Sequence, residues 1–301
     1  MGRSPFLESA SLLAKLQEQA PALHILTNQV KCYNIITFRQ NMSILKGYVD
    51  TPNGQIHFRQ LKQVDGIPLV LFHQTASSSV MFEPLMNLLA GDFHTIALDT
   101  PGFGASFSLP SLFTVSYLSD SLHAALTALG VESCFVFGHH TGSAIGLQMA
   151  FDYPNFIQKM VLSGAPLLSE AQINGLKASL KPFAIAEDGS HLTQVWERIR
   201  KRDPNLPLET VHREVLLTQS AREAAQGAYQ AVFEQPVSNQ LSSLHIPILL
   251  ISGEHDTLRA SLEPAYQLLK HGEMKVIPNE GPYICDQNPQ VVADVIKEFI
   301  L

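Results

Sequence analysis

From Ile67 onward the chain alternates short, almost wholly apolar runs with stretches of helical periodicity, and this alternation limits the fold class more than any other feature. The runs IPLVLFH (67–73), HTIALD (94–99), CFVFGH (134–139), KMVLSG (159–164), IPILLISG (246–253) and MKVIP (274–278) are too short for stable helices. They are also too uniformly apolar for strands with one wet face, so they read as strands of a mostly parallel sheet covered on both faces. Between them, Val80–Ala90, Val115–Leu129, Thr141–Phe151, Glu263–His271 and Pro289–Leu301 carry helical spacing, which predicts stacked βαβ units. Upstream, MSILKGYVDTPNGQIHFRQ (42–60) predicts two strands around an Asn53-Gly54 hairpin turn.

The alternation breaks once. Between Pro166 and Leu244 lie three or four amphipathic helical segments, including HLTQVWERIRKRD (191–203) and LETVHREVLLTQSAREAAQGAYQAVFEQ (208–235). An insertion at this point sits over the carboxyl ends of the strands, where open α/β sheets bind ligands. Residues 167–243 are therefore expected to form a helical lid on a core made of 42–166 and 244–301. Residues 1–41 include an amphipathic stretch at 7–19 but lead into no recognisable strand order. They are expected to be an appendage or an artefact of the start site. Within them LLAKLQEQAPALHILTNQV (12–30) resembles the beginning of hydroxyethylthiazole kinases, without any functional motif.

Composition narrows the function classes. A net charge of −7 offers no basic surface for nucleic acid, and no uninterrupted apolar stretch approaches the length of about 18 residues that spans a membrane. Glu8 and Lys15 interrupt the opening MGRSPFLESASLLAKLQ, so no secretory signal is expected. The three cysteines, Cys32, Cys134 and Cys285, have no metal-ligand spacing and an odd count, which suits a reducing, cytoplasmic setting. There is no nucleotide-binding glycine loop and no H-E-x-x-H type motif, so neither cofactor nor metal is expected. The expected partner is a small-molecule substrate, and exposed edge strands leave room for a homodimer.

Four motifs, in order, carry the chemistry: His73-Gln74 within FHQTASS (72–78), Asp99-Thr100-Pro101-Gly102-Phe103-Gly104-Ala105-Ser106, Gly138-His139-His140-Thr141-Gly142, and Asp256 within SGEHD (252–256). From about Gly47 to the end, the chain resembles the α/β-hydrolase superfamily, in particular its lidded members such as epoxide hydrolases and carbon–carbon hydrolases. That resemblance implies a nucleophile elbow at Gly138–Gly142, an oxyanion hole from the backbone amides of Gln74 and Thr141, and a catalytic acid at Asp256.

Two positions depart from the family's pattern. The centre of the elbow is His140, where the family has Ser, Cys or Asp, and Ser143 lies out of frame with the glycines, where a small residue lets helix and sheet approach. The catalytic-histidine position after the last strand is Pro282, with Pro289 holding the downstream landmark. A Ser-His-Asp mechanism cannot run here. An ordinary imidazole titrates near pH 6.5, so His140 oriented by Asp256 is the candidate general base. Further pocket candidates are His73, Pro282 and Tyr283. His139 is expected to be structural, Cys285 a small apolar residue, and Trp196 and Phe183 lid core.

These residues point to a hydrolase of a small carbonyl-bearing molecule, an ester, lactone or carbon–carbon bond, worked by a His140-Asp256 dyad. They leave two alternatives open. One is a lyase, cyclase or cofactor-free oxygenase on the same fold, and the other is a catalytically retired protein that only binds a small molecule.

Overall fold

A computed structural model describes residues 43–179 and 184–301. The appendage, the likeness over 12–30, Cys32 and Phe183 lie outside the described residues. Eight strands are described: β1 (Leu45–Thr51), β2 (Gly54–Leu61), β3 (Leu69–Phe72), β4 (Thr95–Leu98), β5 (Cys134–His139), β6 (Ile157–Ser163), β7 (Ile248–Gly253) and β8 (Gly272–Ile277). They form one sheet in the order β1-β2-β4-β3-β5-β6-β7-β8, with β1 and β2 antiparallel and all pairs from β4 to β8 parallel.

The helices are α1 (Glu83–Leu89), α2 (Val115–Ala128), α3 (Thr141–Asp152), α4 (Glu170–Ser179), α5 (Ser190–Arg202), α6 (Leu208–Glu234), α7 (Val237–Ser243), α8 (Leu262–Tyr266), α9 (Ile284–Gln287) and α10 (Pro289–Ile300). Local signals set several starts. The Thr114 side chain accepts from Tyr117 N–H to open α2, and Asn288 caps α10 with Pro289 in its first turn.

The apolar runs work as a double-sided sheet requires. On β3, Val70 and Phe72 enter one core with Ile96, Val136, Leu162 and Leu250, beside Leu122 and Ile145 of α2 and α3. Leu69 and Leu71 point the other way, into a second core with Phe137, Val161, Ile251, Leu85 of α1 and Val292 of α10. All four β3 side chains have no exposed surface. Burying each contributes about 1.5–3 kcal/mol, which explains why these strands tolerate no polar alternation.

Local chemistry adjusts three expected elements. The hairpin turn falls on Pro52-Asn53, one residue early: Thr51 pairs with Gly54, and Gly54 takes φ +144 after the proline fixes the turn. The helix expected from Val80 divides into a 3₁₀ turn (Ser79–Phe82) followed by α1, because Pro84 has no N–H to continue one ladder. The helix expected over 263–271 ends at Tyr266, where Leu268 and Leu269 N–H turn back to Ala265 and Tyr266 carbonyls at 3.1 and 3.0 Å.

Helices α4 to α7 are inserted between β6 and β7. Their residues reach the loops at the carboxyl ends of the strands: Tyr229 Oη donates to Thr75 O at 3.2 Å, and Ser77 Oγ donates to Glu214 Oε1 at 2.9 Å. Arg213 binds Glu214 and, through two nitrogens at 2.8 and 3.0 Å, Asp286.

Two glycines test the packing account. A Cβ on Gly142 would overlap the Phe72 carbonyl, whereas Gly175, in α4, faces open space. Gly142→Ala should lose about 3 kcal/mol or more in urea unfolding, while Gly175→Ala should gain about 0.5–1 kcal/mol from helix propensity. Equal effects at the two sites would contradict the packing described.

Candidate functional site

The chain runs from β3 outward to β4 on one side and from β5 outward to β6, β7 and β8 on the other, so β3 and β5 flank the topological switch point. The residues following these two strands, His73-Gln74 and His140-Thr141, meet there: the Thr75 and Thr141 hydroxyls share a hydrogen bond of 2.8 Å.

The β5–α3 turn is tight for a reason visible atom by atom. A Cβ on Gly138 would come within 2.5 Å of the Gly142 carbonyl, and one on Gly142 would strike Phe72. Between these glycines the chain reverses through His140 at φ 49, ψ −109, a conformation that costs a side-chain-bearing residue about 1–3 kcal/mol. The turn is held by His140 N–H donating to Ser163 O at 2.8 Å and by Ser143 Oγ packed against the Gly138 and Ser163 carbonyls at 2.8 and 2.9 Å.

His140 presents its ring to β7. Nε2 lies 2.8 Å from Asp256 Oδ2 and 3.1 Å from Oδ1. Room for the ring comes from Gly164 at φ +64, where a Cβ would sit 2.8 Å from that same Nε2. Asp256 is placed by its turn, its N–H donating to Gly253 O at 3.1 Å and its Oδ1 accepting from Leu258 N–H at 2.7 Å. Burial works to raise the Asp256 pKa, but the charge and hydrogen bond of His140 and the Leu258 amide outweigh it and hold the carboxyl at about 2. A carboxylate accepts only, so Nε2 carries the proton it donates. That leaves Nδ1 without a partner among the described residues, and in the neutral ring it is the nitrogen that can accept a proton.

His139 next to it is built differently. Its ring stacks on that of His140, with centroids 4.3 Å apart. Nε2 donates to Pro282 O at 3.0 Å, and Nδ1, 3.0 Å from Ser163 Oγ, accepts from that hydroxyl. Full burial, then repulsion from His140, push its pKa down to about 3, so it stays neutral.

Other sequence candidates separate in the same way. Gln74 lines a cavity, and among the described residues no protein group accepts the N–H of Gln74 or Thr141. Thr141 is also the first residue of α3, where the helix dipole favours negative charge. His73 is not brought to the cavity. Its Nδ1 donates to Gln74 O at 2.8 Å, its Nε2 accepts from Thr100 N–H at 2.9 Å, and burial lowers its pKa. It braces the loop. Pro282 contributes its carbonyl to His139 and does not line the cavity, whereas the following residue, Tyr283, does. Cys134 and Cys285 are fully buried and burial raises both thiols. Trp196 packs on the Val195–Ile199–Val215 cluster of the insertion.

Asp99 organises the turn that follows β4. Its carboxylate accepts from Ser79 N–H, Ser79 Oγ and Ala105 N–H and faces His57 Nδ1, all within 2.9 Å. Burial opposes ionisation, but these partners hold it well below the usual range. Gly104 is glycine because the Asp99 carboxylate occupies the space of its Cβ.

The cavity itself, about 80 Å³, lies under the inserted helices. Gln74, Thr75 and Tyr283 form its floor, with Arg198, Arg202, Glu214 and Tyr229 on its walls. His140, Thr141 and Asp256 do not line it; the His140 side chain is 15% exposed. Sequence reading missed the wall. The two arginines share one face of an amphipathic segment at i, i+4 spacing, but nothing in that pattern says whether the face meets solvent or a cavity.

A family model described as the alpha/beta hydrolase fold matches residues 67–289. The chain belongs to the α/β hydrolase fold family. Among curated members it is 24% identical over 263 residues to 2-(acetamidomethylene)succinate hydrolase of Mesorhizobium japonicum, covering 82% of this chain and 92% of the relative. It is 25% identical over 254 residues to (E)-2-((N-methylformamido)methylene)succinate hydrolase of Acinetobacter baylyi, covering 79% and 92%. A crystal structure of E-2-(acetamidomethylene)succinate hydrolase superposes with a TM-score of 0.72 at 22% identity, over 86% of this chain and 99% of that one. An epoxide hydrolase, CorEH, gives 0.70 at 20% identity, over 85% and 98%. In this chain Gly138 and Gly142 flank the β5–α3 turn with His140 at its centre, Asp256 follows β7, and Pro282 follows β8.

The neutral state of His139 predicts a pH dependence. Its folded pKa lies below the ordinary 6.5, so the unfolded chain binds the proton more readily. Stability is then complete above pH 6.5 and falls as the pH drops toward 3, by up to about 1.4 kcal/mol per unit. Chemical unfolding between pH 6 and 4.5 should show a shallower slope in His139→Gln than in wild type. Identical slopes would mean that His139 is protonated in the folded protein.

Proposed function

We propose that the protein hydrolyses a small carbonyl compound, with His140 as the general base, Asp256 orienting it, and the Gln74 and Thr141 amides receiving the oxyanion. The observation that carries this reading is the 2.8 Å contact between the Nε2 of the elbow imidazole and a buried carboxylate, which leaves Nδ1 as the basic atom. In the family's usual arrangement the acid serves a histidine from another loop. Here the elbow residue takes that partner directly.

The step balances without a covalent enzyme intermediate. Nδ1 removes a proton from water as its oxygen bonds to the carbonyl carbon, and the carbonyl electron pair moves onto oxygen. The two amides stabilise that charge, each such donor being worth about 3 kcal/mol where it acts. Collapse breaks the bond to the leaving group, which takes the proton back from the imidazolium. Asp256, ionised throughout, stabilises the cationic ring between these transfers. Helices α4 to α7 act as the lid, and the small cavity suits a substrate of few atoms. The names of the two curated relatives, hydrolases of substituted methylenesuccinates, support hydrolysis at a carbonyl-activated centre.

A protein that only binds ligand would also lack the serine and the second histidine. It would have no need of an imidazole hydrogen-bonded to a buried carboxylate through one nitrogen, with the other nitrogen and the Gln74 and Thr141 amides unpartnered among the described residues, and that combination favours chemistry.

Hydrolysis of a panel of chromogenic esters and lactones across pH 5–9 tests the proposal. His140→Ala should lower kcat/KM by about 10²–10⁴-fold with its unfolding transition retained, and Asp256→Asn should also lower it, by less. Turnover by His140→Ala equal to wild type, or none by wild type on any substrate, would count against a histidine-based hydrolase.

A further inference from the structure

Glu214 of α6 is a buried carboxylate that lines the cavity, its side chain 5% exposed. Its two oxygens are used unequally. Three donors converge on Oε1: Arg213 Nη2 at 2.7 Å, Arg213 Nε at 2.9 Å and Ser77 Oγ at 2.9 Å. Oε2 accepts no hydrogen bond among the described residues, yet it is not sealed inside the protein as the Thr95, Thr100 and Ser261 hydroxyls are. Its open side is the cavity that Glu214 lines.

A purely structural ion pair would spread both carboxylate oxygens over the fork of Arg213. That fork is given to Asp286 instead, through Nη1 at 2.8 Å and Nη2 at 3.0 Å, and Glu214 receives Nε and Nη2 on a single oxygen. Burial first, with the Asp286 charge behind it, raises the Glu214 pKa against the pull of Arg213 and Ser77. An acceptor without a donor in such surroundings carries a desolvation cost that a ligand's donor removes. Two other acceptors at the cavity are engaged: Thr75 O receives Tyr229 Oη at 3.2 Å, and Glu223, which faces solvent, pairs with Arg222 at 3.4 Å. The loop after β3 ties Glu214 to the site. Ser77, which holds Oε1, donates its own N–H to Gln74 O at 2.9 Å, and Gln74 borders the same cavity.

We propose that Glu214 Oε2 is a specificity contact that binds a neutral hydrogen-bond donor of the substrate, a hydroxyl or an amide N–H. This rests on the reading of the cavity as the substrate pocket of the proposed hydrolase. The donor is neutral because three arginines, Arg198, Arg202 and Arg222, share the lining with two glutamates, and an ammonium would meet their charge. An analogue without the donor leaves the buried oxygen unpaired, which is how a polar site rejects it.

Binding tests this separately from turnover. Protein-observed NMR titrations at pH 8 would use hydroxyacetone beside methoxyacetone, and N-methylacetamide beside N,N-dimethylacetamide. Only the first member of each pair has a donor, and the two pairs tell a hydroxyl site from an amide site. Wild type should bind the donor member of at least one pair about tenfold or more tightly than its methylated partner. In Glu214→Gln the donors on Oε1 keep the amide oxygen and leave its NH₂ toward the cavity, so the preference should vanish or reverse. Glu223→Gln removes the same charge from the same lining and should keep it. If Glu214→Gln does not fold, the decision passes to Glu214→Asp, which draws the charge back by one methylene and must weaken the donor member more than its partner. Equal binding within both pairs up to about 100 mM, a preference for the methylated members, or a donor preference that the Glu214 variants retain would overturn the proposal. Donor preference in a wild type that turns over no ester would sink the hydrolytic mechanism and leave the Glu214 contact standing. Ester turnover with equal binding within each pair would do the reverse.

Discussion

Helix α3 meets strand β3 with so little room that a Cβ at Gly142 would overlap the Phe72 carbonyl. The close approach leaves one conformation for the β5–α3 turn, and the turn gives His140 its positive φ. From that backbone the imidazole passes over Gly164 and ends on Asp256. The first turn of α3 sets the Thr141 N–H beside the loop that follows β3, because the Thr75 and Thr141 hydroxyls join the two. Strain at a single residue is thus offset by two packed cores, and it fixes where the His140 ring and the Thr141 amide point.

Two adjacent histidines show how environment divides one residue type into two tasks. His139 is enclosed, uses both ring nitrogens on protein partners, and is driven to the neutral form. His140 touches the same stack of rings but turns one nitrogen to a buried carboxylate and has no partner for the other among the described residues. Pro282 takes part through its backbone alone. A residue with no side-chain donor or acceptor remains there, and its backbone oxygen accepts the His139 proton.

Much of the fold was legible because it rests on local patterns. Uniformly apolar runs mark two-faced strands, and the Gly138–Gly142 spacing marks a sharp turn whose steric need is independent of what chemistry it carries. The failures were also local: Pro52 moved the hairpin turn and Pro84 split a helix, effects that periodicity does not weigh. The site was legible only as a set of names. His140 and Asp256 are 116 positions apart, and whether they meet depends on the space over Gly164, which no spacing rule reports. His73 carried the same composition signal as a pocket residue, but its two backbone partners lie in Gln74 and Thr100, so it braces a loop instead. The amphipathic pattern of α5 does not tell that Arg198 and Arg202 line a cavity.

The central claim is that the elbow imidazole keeps its proton on Nε2, toward Asp256, and presents a bare Nδ1. Nitrogen-15 NMR of protein labelled in its histidine rings, with His140 assigned from the signal missing in His140→Gln, reads that directly. The account predicts the Nε2–H form at neutral pH, with a shift of its protonated nitrogen when Asp256 becomes Asn. A His140 ring protonated on Nδ1 in its neutral form, or one unaffected by Asp256→Asn, would contradict it.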